Sequence, residues 1–108
     1  MFVRKVSMRL RADSAAEFVR KMDDEVIPLL RKQSGFLDEM TLVPESGKEV
    51  YAYSFWESSA DAEEYEKLAF TEATKLLASV VEGTIRIHTY VVANSTFHFH
   101  KMAAVVAS

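Results

Sequence analysis

Three side chains of this sequence are candidates for chemistry: Trp56, Tyr65 and His88. The indole ring of Trp56 can stack on an aromatic compound, and its N–H can donate a hydrogen bond to an oxygen of that compound. The hydroxyl of Tyr65 can donate a hydrogen bond or relay a proton; alternatively, Tyr65 is a rim residue with its hydroxyl in water. His88, beside Arg86 on one face of a predicted strand, can accept a proton while Arg86 stabilises an oxyanion.

The direction in which His88 points is left open by strand alternation alone. Ile85, Ile87 and Val91 form the more regular apolar set of that strand, which favours His88 and Arg86 pointing away from the core and into a dimer interface. A catalytic role for His88 requires the other orientation.

Metal chemistry has little support in the sequence. There is no cysteine, so thiolate ligands, disulfides and a cysteine nucleophile are excluded. His98 and His100 have a spacing that two metal ligands can share, but no third ligand is near them in the sequence. We expect no metal site and a solvated strand face at these histidines.

Composition predicts one globular domain. The chain has 108 residues, of which 49% are hydrophobic and 27% charged. The net charge of −3 without a basic run argues against nucleic acid as a partner. No apolar stretch approaches the roughly 18 residues that a membrane-spanning helix needs, and the charged beginning does not resemble a signal peptide. We expect a cytoplasmic protein with a domain over residues 1–95 and an extension over residues 96–108.

The hydrophobic periodicity alternates between strands and helices. Strand-like runs are predicted at residues 2–10, 36–43, 50–56 and 85–92, because apolar or β-branched residues dominate or alternate there. A first helix begins at Ser14 with Glu17 completing a capping box, bends near Pro28 and ends at Gly35. A second helix is capped by Ser58 or Ser59, with a possible break at residues 70–71 and an end at Gly83. This β-α-β-β-α-β order predicts an α+β, ferredoxin-like fold.

The two faces of the predicted sheet differ. Tyr51, Tyr53 and Phe55 point to the face that two helices cannot cover, and this aromatic row favours a symmetric homodimer with packed sheets. The tail at residues 96–100 alternates again and can add a strand to the sheet of the partner subunit.

On the helix-covered face, small residues predict a cavity. Ala52 and Ser54 leave volume between sheet and helices, and methionines are pliable liners for a ligand of irregular shape. Alternatively, Phe18 and Leu77 fill this volume. The candidate ligand-binding residues on this basis are Met8, Phe18, Met22, Met40, Ala52, Ser54 and Leu77.

Three short motifs carry a family resemblance over about residues 2–93. They are Pro28-Leu29-Leu30 followed by Gly35-Phe36, the run from Ser54 through Trp56 to Ser59, and Phe70 in the second helical region. With them the chain resembles the antibiotic biosynthesis monooxygenase family of dimeric α+β barrels. The resemblance implies a homodimer, a pocket with Trp56 at its mouth, and Phe70 among the substrate-binding residues.

Members of that family differ in chemistry. The haem-degrading branch is similar at Trp56 and Phe70, but its axial histidine falls at Thr74 and its first-strand asparagine falls near Met8, which cannot replace an imidazole ligand and a polar contact. We therefore expect no cofactor. The resemblance implies a cofactor-independent monooxygenase that acts on a small phenol or quinol. The alternative is a non-catalytic small-molecule-binding or structural dimer of the same fold.

Overall fold

The computed structural model describes residues 1–97. The strands are β1 (Phe2–Leu10), β2 (Phe36–Leu42), β3 (Glu49–Trp56) and β4 (Val81–Val91). The helices are α1 (Ala15–Lys21), α2 (Ile27–Arg31), α3 (Ser59–Leu68) and α4 (Phe70–Leu77), and a π-helical segment (Met22–Val26) joins α1 to α2. Within residues 1–97, no helix is long and apolar enough to cross a membrane.

The strands form one antiparallel sheet in the order β2-β3-β1-β4. All helices pack on one face of this sheet, which we call the helix-covered face; the other is the open face. The α+β, ferredoxin-like prediction is confirmed. Of the predicted tail strand, only Thr96 and Phe97 are described, and neither is in a strand. His98 and His100 lie outside the described residues.

The core fills the helix-covered face. Trp56, Phe18 and Val50 are fully buried there, together with apolar residues of β1 and of every helix. A smaller buried cluster of Val3, Leu37 and Phe55 lies on the open face. The predicted alternation along β3 is confirmed, since Val50 and Trp56 belong to the first cluster and Phe55 to the second.

A bulge in β2 reverses the alternation of its side chains. Phe36 pairs with Trp56, and the next paired residue, Asp38, faces Phe55, so Leu37 is an extra residue in the strand. Beyond an extra residue, odd and even positions exchange faces. Glu39 and Thr41 therefore take the helix-covered face, and Met40 takes the open face opposite Tyr53.

The first helical region differs from its prediction at its start and near Pro28. The Ser14 side chain makes no cap bond and donates to the Ala12 carbonyl, while Glu17 pairs with Arg20, so the predicted capping box is wrong. The irregularity expected at Pro28 lies one turn earlier, where the Ile27 N–H donates to the Met22 carbonyl across a π-type turn. Pro28 itself sits in the first turn of α2, where its missing N–H costs little.

The second helical region follows its prediction at the start and differs later. The Ser58 hydroxyl accepts a hydrogen bond from the Asp61 N–H at 3.2 Å, which confirms Ser58 as the cap. The break occurs at Ala69, not at Thr71, because Ala69 leaves the helical conformation and α4 begins at Phe70. Gly83 does not end a helix: it lies inside β4 with a φ of +73°, where residues 83–85 bulge opposite Met8.

Candidate active site

A cavity of about 40 Å³ lies between the helices and the helix-covered face of the sheet. This volume holds about three water molecules. Its walls are mostly apolar, with polar groups from Arg4, Glu39, Ser54, Tyr65 and Thr74; Tyr53 also borders it, although its side chain lies on the open face. The apolar side chains that line it are Val6, Met8, Met22, Val26, Leu30, Ala52, Phe70, Ala73, Leu77 and Ile85.

Arg4 is a buried cation on this cavity. Only 2% of the residue is exposed, and its Nη2 donates a hydrogen bond to Oε1 of Glu66 at 3.0 Å. The guanidinium carbon lies 4.1 Å from the ring centre of Phe70 and 5.5 Å from that of Tyr65. Two aromatic rings and a carboxylate thus hold the charge in place. Arg4 was not among the site residues predicted from the sequence, although strand alternation puts it on the same face as Val6 and Met8.

Tyr65 connects the cavity to the aromatic core. Its ring stacks on Trp56 with centres 5.1 Å apart and meets Phe70 edge to face at 6.0 Å. Burial raises the pKa of the Tyr65 hydroxyl to about 12, although the nearby charge of Arg4 acts in the opposite direction. The hydroxyl is therefore protonated at neutral pH. Within residues 1–97 it has no hydrogen-bond partner, so it can donate to a ligand.

Trp56 lies behind the cavity and not at its mouth. The residue is 0% exposed and is absent from the cavity lining. Its Nε1 donates a hydrogen bond to the Ser54 hydroxyl at 2.9 Å, so the N–H that we expected to meet a substrate oxygen is already paired. Trp56 therefore packs beneath the Tyr65 ring and supports that ring from behind the cavity. Ser54 lines the cavity and accepts the indole N–H.

Glu39 reaches the cavity because of the bulge at Leu37. Thr41 Oγ1 donates to its Oε2 at 2.6 Å. Burial raises the pKa of the Glu39 carboxyl, the Thr41 hydrogen bond lowers it, and the charge of Asp23 raises it further. The bulge also corrects our expectation for Met40, which is 39% exposed on the open face and does not line the cavity.

Of the other predicted site residues, some line the cavity and some do not. Met8, Met22, Ala52, Ser54, Phe70 and Leu77 line the cavity together with Tyr65. Phe18 does not; it is fully buried in the core beside the cavity. His88 does not reach it either, since it pairs with Lys5 and lies exposed on the open face with Arg86, which bonds Glu49 at 2.9 Å. Because its side chain lies on the open face, His88 takes no part in the chemistry of this cavity.

A groove of about 340 Å³ adjoins the cavity between the π-helical segment and β2. Val19, Asp23, Ile27, Thr41 and Val43 line the groove only, whereas Met22 and Glu39 line both the groove and the cavity. These two side chains therefore separate the cavity from the groove.

Thr74 and Met8, the residues that our comparison with the haem-degrading branch singled out, both line the cavity. The Thr74 hydroxyl donates to the Thr71 carbonyl at 2.8 Å. Of the histidines, only His88 belongs to residues 1–97, and it does not line the cavity. The absence of haem binding stays a prediction.

Comparison with known proteins points to one family. The family model described as antibiotic biosynthesis monooxygenase matches residues 1–75. No curated protein matches by sequence.

Solved structures share the fold at low sequence identity. A monooxygenase from the gene ActVA-Orf6 of Streptomyces coelicolor, solved with nanaomycin D, has a TM-score of 0.75 and 19% identity, covering 89% of this chain and 90% of that one. The cofactor-independent oxygenase SnoaB from Streptomyces nogalater has a TM-score of 0.70 and 14% identity, covering 88% and 96%. A protein of unknown function from Nitrosomonas europaea has a TM-score of 0.72 and 10% identity, covering 89% and 92%.

Proposed function

Because this chain belongs to the antibiotic biosynthesis monooxygenase family, we propose that it is a cofactor-independent monooxygenase of a small phenol or quinol bound in the cavity. One observation carries the proposal: a buried cation, Arg4, and a hydroxyl donor, Tyr65, converge on an otherwise apolar cavity. That combination suits an aromatic compound that becomes an anion during the reaction.

The reaction needs no external electron donor. A phenol with a free para carbon loses its hydroxyl proton, and the phenolate transfers one electron to O₂. The two radicals combine at the para carbon to give a hydroperoxide, which loses water and leaves a carbonyl. One oxygen atom enters the ring and the other leaves as water. The substrate supplies all four electrons, and its hydroxyl and para hydrogens both end in the water.

The side chains divide the remaining work. Arg4 stabilises the phenolate by charge, and Tyr65 donates a hydrogen bond to an oxygen of the substrate or of the peroxide. The apolar walls exclude water from the radical pair. Because the open volume is only about 40 Å³, entry of even one ring requires Met8 and Met22 to change rotamer, which unbranched side chains do readily. We therefore expect a substrate with a single ring.

Oxygen uptake with single-ring phenols that have a free para carbon tests this function, with the uncatalysed rate subtracted and quinone formation followed in parallel. Hydroquinones serve as a comparison, because they give quinone without an oxygen atom entering the ring. Arg4→Met keeps most of the side-chain length but removes the charge. We expect kcat/KM to fall about a hundredfold, the loss typical of one electrostatic contact to a developing anion. Arg20→Met is the matched control, because Arg20 is exposed and bonds only Glu17 and Asp24 on its own helical region. The proposal would be contradicted if the wild-type protein failed to accelerate oxygen uptake with every compound tested.

A second candidate is a non-catalytic binding protein of the same fold, and the mostly apolar lining of the cavity favours it. Quenching of Trp56 fluorescence by phenols without oxygen uptake would support this candidate. Ala52→Leu fills the cavity from β3 and should abolish the quenching in either case, since Ala52 is a lining residue with no side-chain hydrogen bond to lose.

We also propose that the protein is a homodimer joined through the open face. Val3, Leu37 and Phe55 form a buried apolar cluster there, and Met40, Leu42 and Tyr90 are large exposed residues. Exposed apolar side chains on a sheet face that no helix covers favour association, and one face that meets its own copy is the arrangement of a two-fold dimer.

A further inference from the structure

The proposed oxygenation requires a group that accepts the hydroxyl proton of the substrate. Most polar side chains of the cavity cannot do so at neutral pH. The Arg4 guanidinium has no acceptor atom, and Tyr65 remains protonated with a pKa of about 12. The hydroxyls of Ser54 and Thr74 are not bases, and His88 is on the other face of the sheet.

We propose that Glu39 is the catalytic base of this cavity, an inference that rests on the proposed function. Among the lining residues within 1–97, Glu39 has the one carboxylate, a group that accepts a proton when ionised and returns it when protonated. Its Oε2 is fixed by Thr41. Its Oε1 has no hydrogen-bond partner within residues 1–97, so this oxygen is free for the substrate hydroxyl.

The position of Glu39 depends on the bulge at Leu37. A regular β2 strand would turn this carboxylate to the open face and place Met40 on the cavity, as our sequence analysis expected. Bulges are common beside active sites because they redirect a single side chain. Here the bulge replaces a thioether by a carboxylate in a mostly apolar wall.

The proton balance closes within the cavity. The O–H bond of the phenol breaks, its proton moves to Glu39 Oε1, and the phenolate is paired with Arg4. After O₂ adds to the ring, Glu39 returns this proton to the distal peroxide oxygen. The para C–H proton then leaves with the departing hydroxide as water. Because Glu39 also lines the groove, the resting carboxylate exchanges protons with solvent.

The surroundings of Glu39 tune it toward this role. Asp23 faces it from the π-helical segment. Within residues 1–97, the other titratable residues that border the cavity are Arg4, Tyr65 and Tyr53, and the Tyr53 side chain lies on the open face. Burial and the charge of Asp23 raise the pKa of Glu39, whereas the Thr41 hydrogen bond lowers it. A carboxylate with a raised pKa is a stronger base when ionised.

Glu39→Gln is the principal test. In wild-type protein we expect kcat/KM to rise with pH as Glu39 ionises. In Glu39→Gln this acidic limb should be lost and kcat should fall by about 10² to 10⁴. The loss should shrink with more acidic phenols and vanish above the pKa of the phenol, where no base is needed. A structural role would not produce this dependence on the substrate.

Further variants separate catalysis from packing. Glu39→Asp should restore part of the rate. Thr41→Val removes the bond that lowers the pKa and should move the acidic limb to higher pH, whereas Asp23→Asn should move it to lower pH. Asp38→Asn is the matched control, since Asp38 is the adjacent acid paired with Phe55 of the open face.

The outcomes distinguish the two proposals. No oxygen uptake by wild-type protein with any phenol would overturn the proposed function and the role of Glu39 with it. Wild-type activity that survives unchanged in Glu39→Gln, with the same acidic limb, would overturn the role of Glu39 and leave the function standing. Because the Glu39→Gln substitution removes a partly buried charge without changing the size of the side chain, loss of folding is not expected, and circular dichroism checks this.

Discussion

The two faces of one sheet have opposite characters in this protein. The helix-covered face holds a dense apolar core. A few polar side chains, among them Arg4, Tyr65 and Glu39, border the cavity within it. The open face carries half-exposed aromatics beside charged residues, with Lys5 Nζ 4.9 Å from the ring centre of Tyr51. Since adjacent residues of a strand alternate between the faces, a shift of one position moves a side chain from the binding cavity to the interface.

The largest difference between the faces should appear in the free energy of unfolding. Trp56→Ala removes a fully buried ring that contacts Phe36 and Tyr65, and we expect a loss of about 4 kcal/mol. Tyr90→Ala on the open face, where the residue is 49% exposed, should cost less than about 1 kcal/mol in the monomer. Urea denaturation at low protein concentration measures both. Equal losses would mean that the open face is packed as tightly as the core.

The second prediction concerns association and tests the open face directly. Tyr53→Lys places a cation opposite Lys5 in the strand register, so an interface there would bury two like charges. We expect the dimer to weaken by about 2 kcal/mol, or roughly thirtyfold in Kd. Sedimentation of wild type and variant across micromolar concentrations measures this.

Leu68→Lys is the matched control for association. Leu68 is 71% exposed but lies at the end of α3, away from the open face. Its substitution should leave the dimer unchanged. A wild-type monomer at these concentrations, or an equal effect of both lysines, would contradict an interface on the open face.

The sequence predicted the fold well because its signals are local. Alternation along β3 assigned Trp56 and Phe55 to opposite faces correctly, and Ser58 was identified from the preference of helix starts for a hydroxyl. Family membership and the ferredoxin-like order followed from short motifs and element order. These features depend on neighbours within a few residues.

The site was predicted less well because it depends on register and on distant partners. Nothing in Phe36-Leu37-Asp38 signals a bulge, and without it Met40 and not Glu39 points to the helices. The pairing of the Trp56 indole with Ser54 is visible only once both side chains are placed. Arg4 was passed over because a charged residue inside an apolar strand is usually assigned to solvent, whereas Glu66 and Phe70 hold it in the core.

The smallest expected effect is a pH dependence of the free energy of unfolding. It tests on which of the two sheet faces Glu39 lies. Its pKa is raised in the folded protein by burial, so the folded state holds this proton more tightly than the unfolded state. The contribution of Glu39 to the free energy of unfolding is therefore fully present below its pKa in the unfolded chain. It is lost as the pH rises through its pKa in the folded protein. Glu39→Gln should match the wild type in acid and become the more stable protein at neutral pH, as urea titrations between pH 3 and 8 would measure. Asp38→Asn leaves the Glu39 carboxyl in place and should not reproduce this gain in stability at neutral pH. If the two variants show the same gain, burial of Glu39 on the helix-covered face is not its cause.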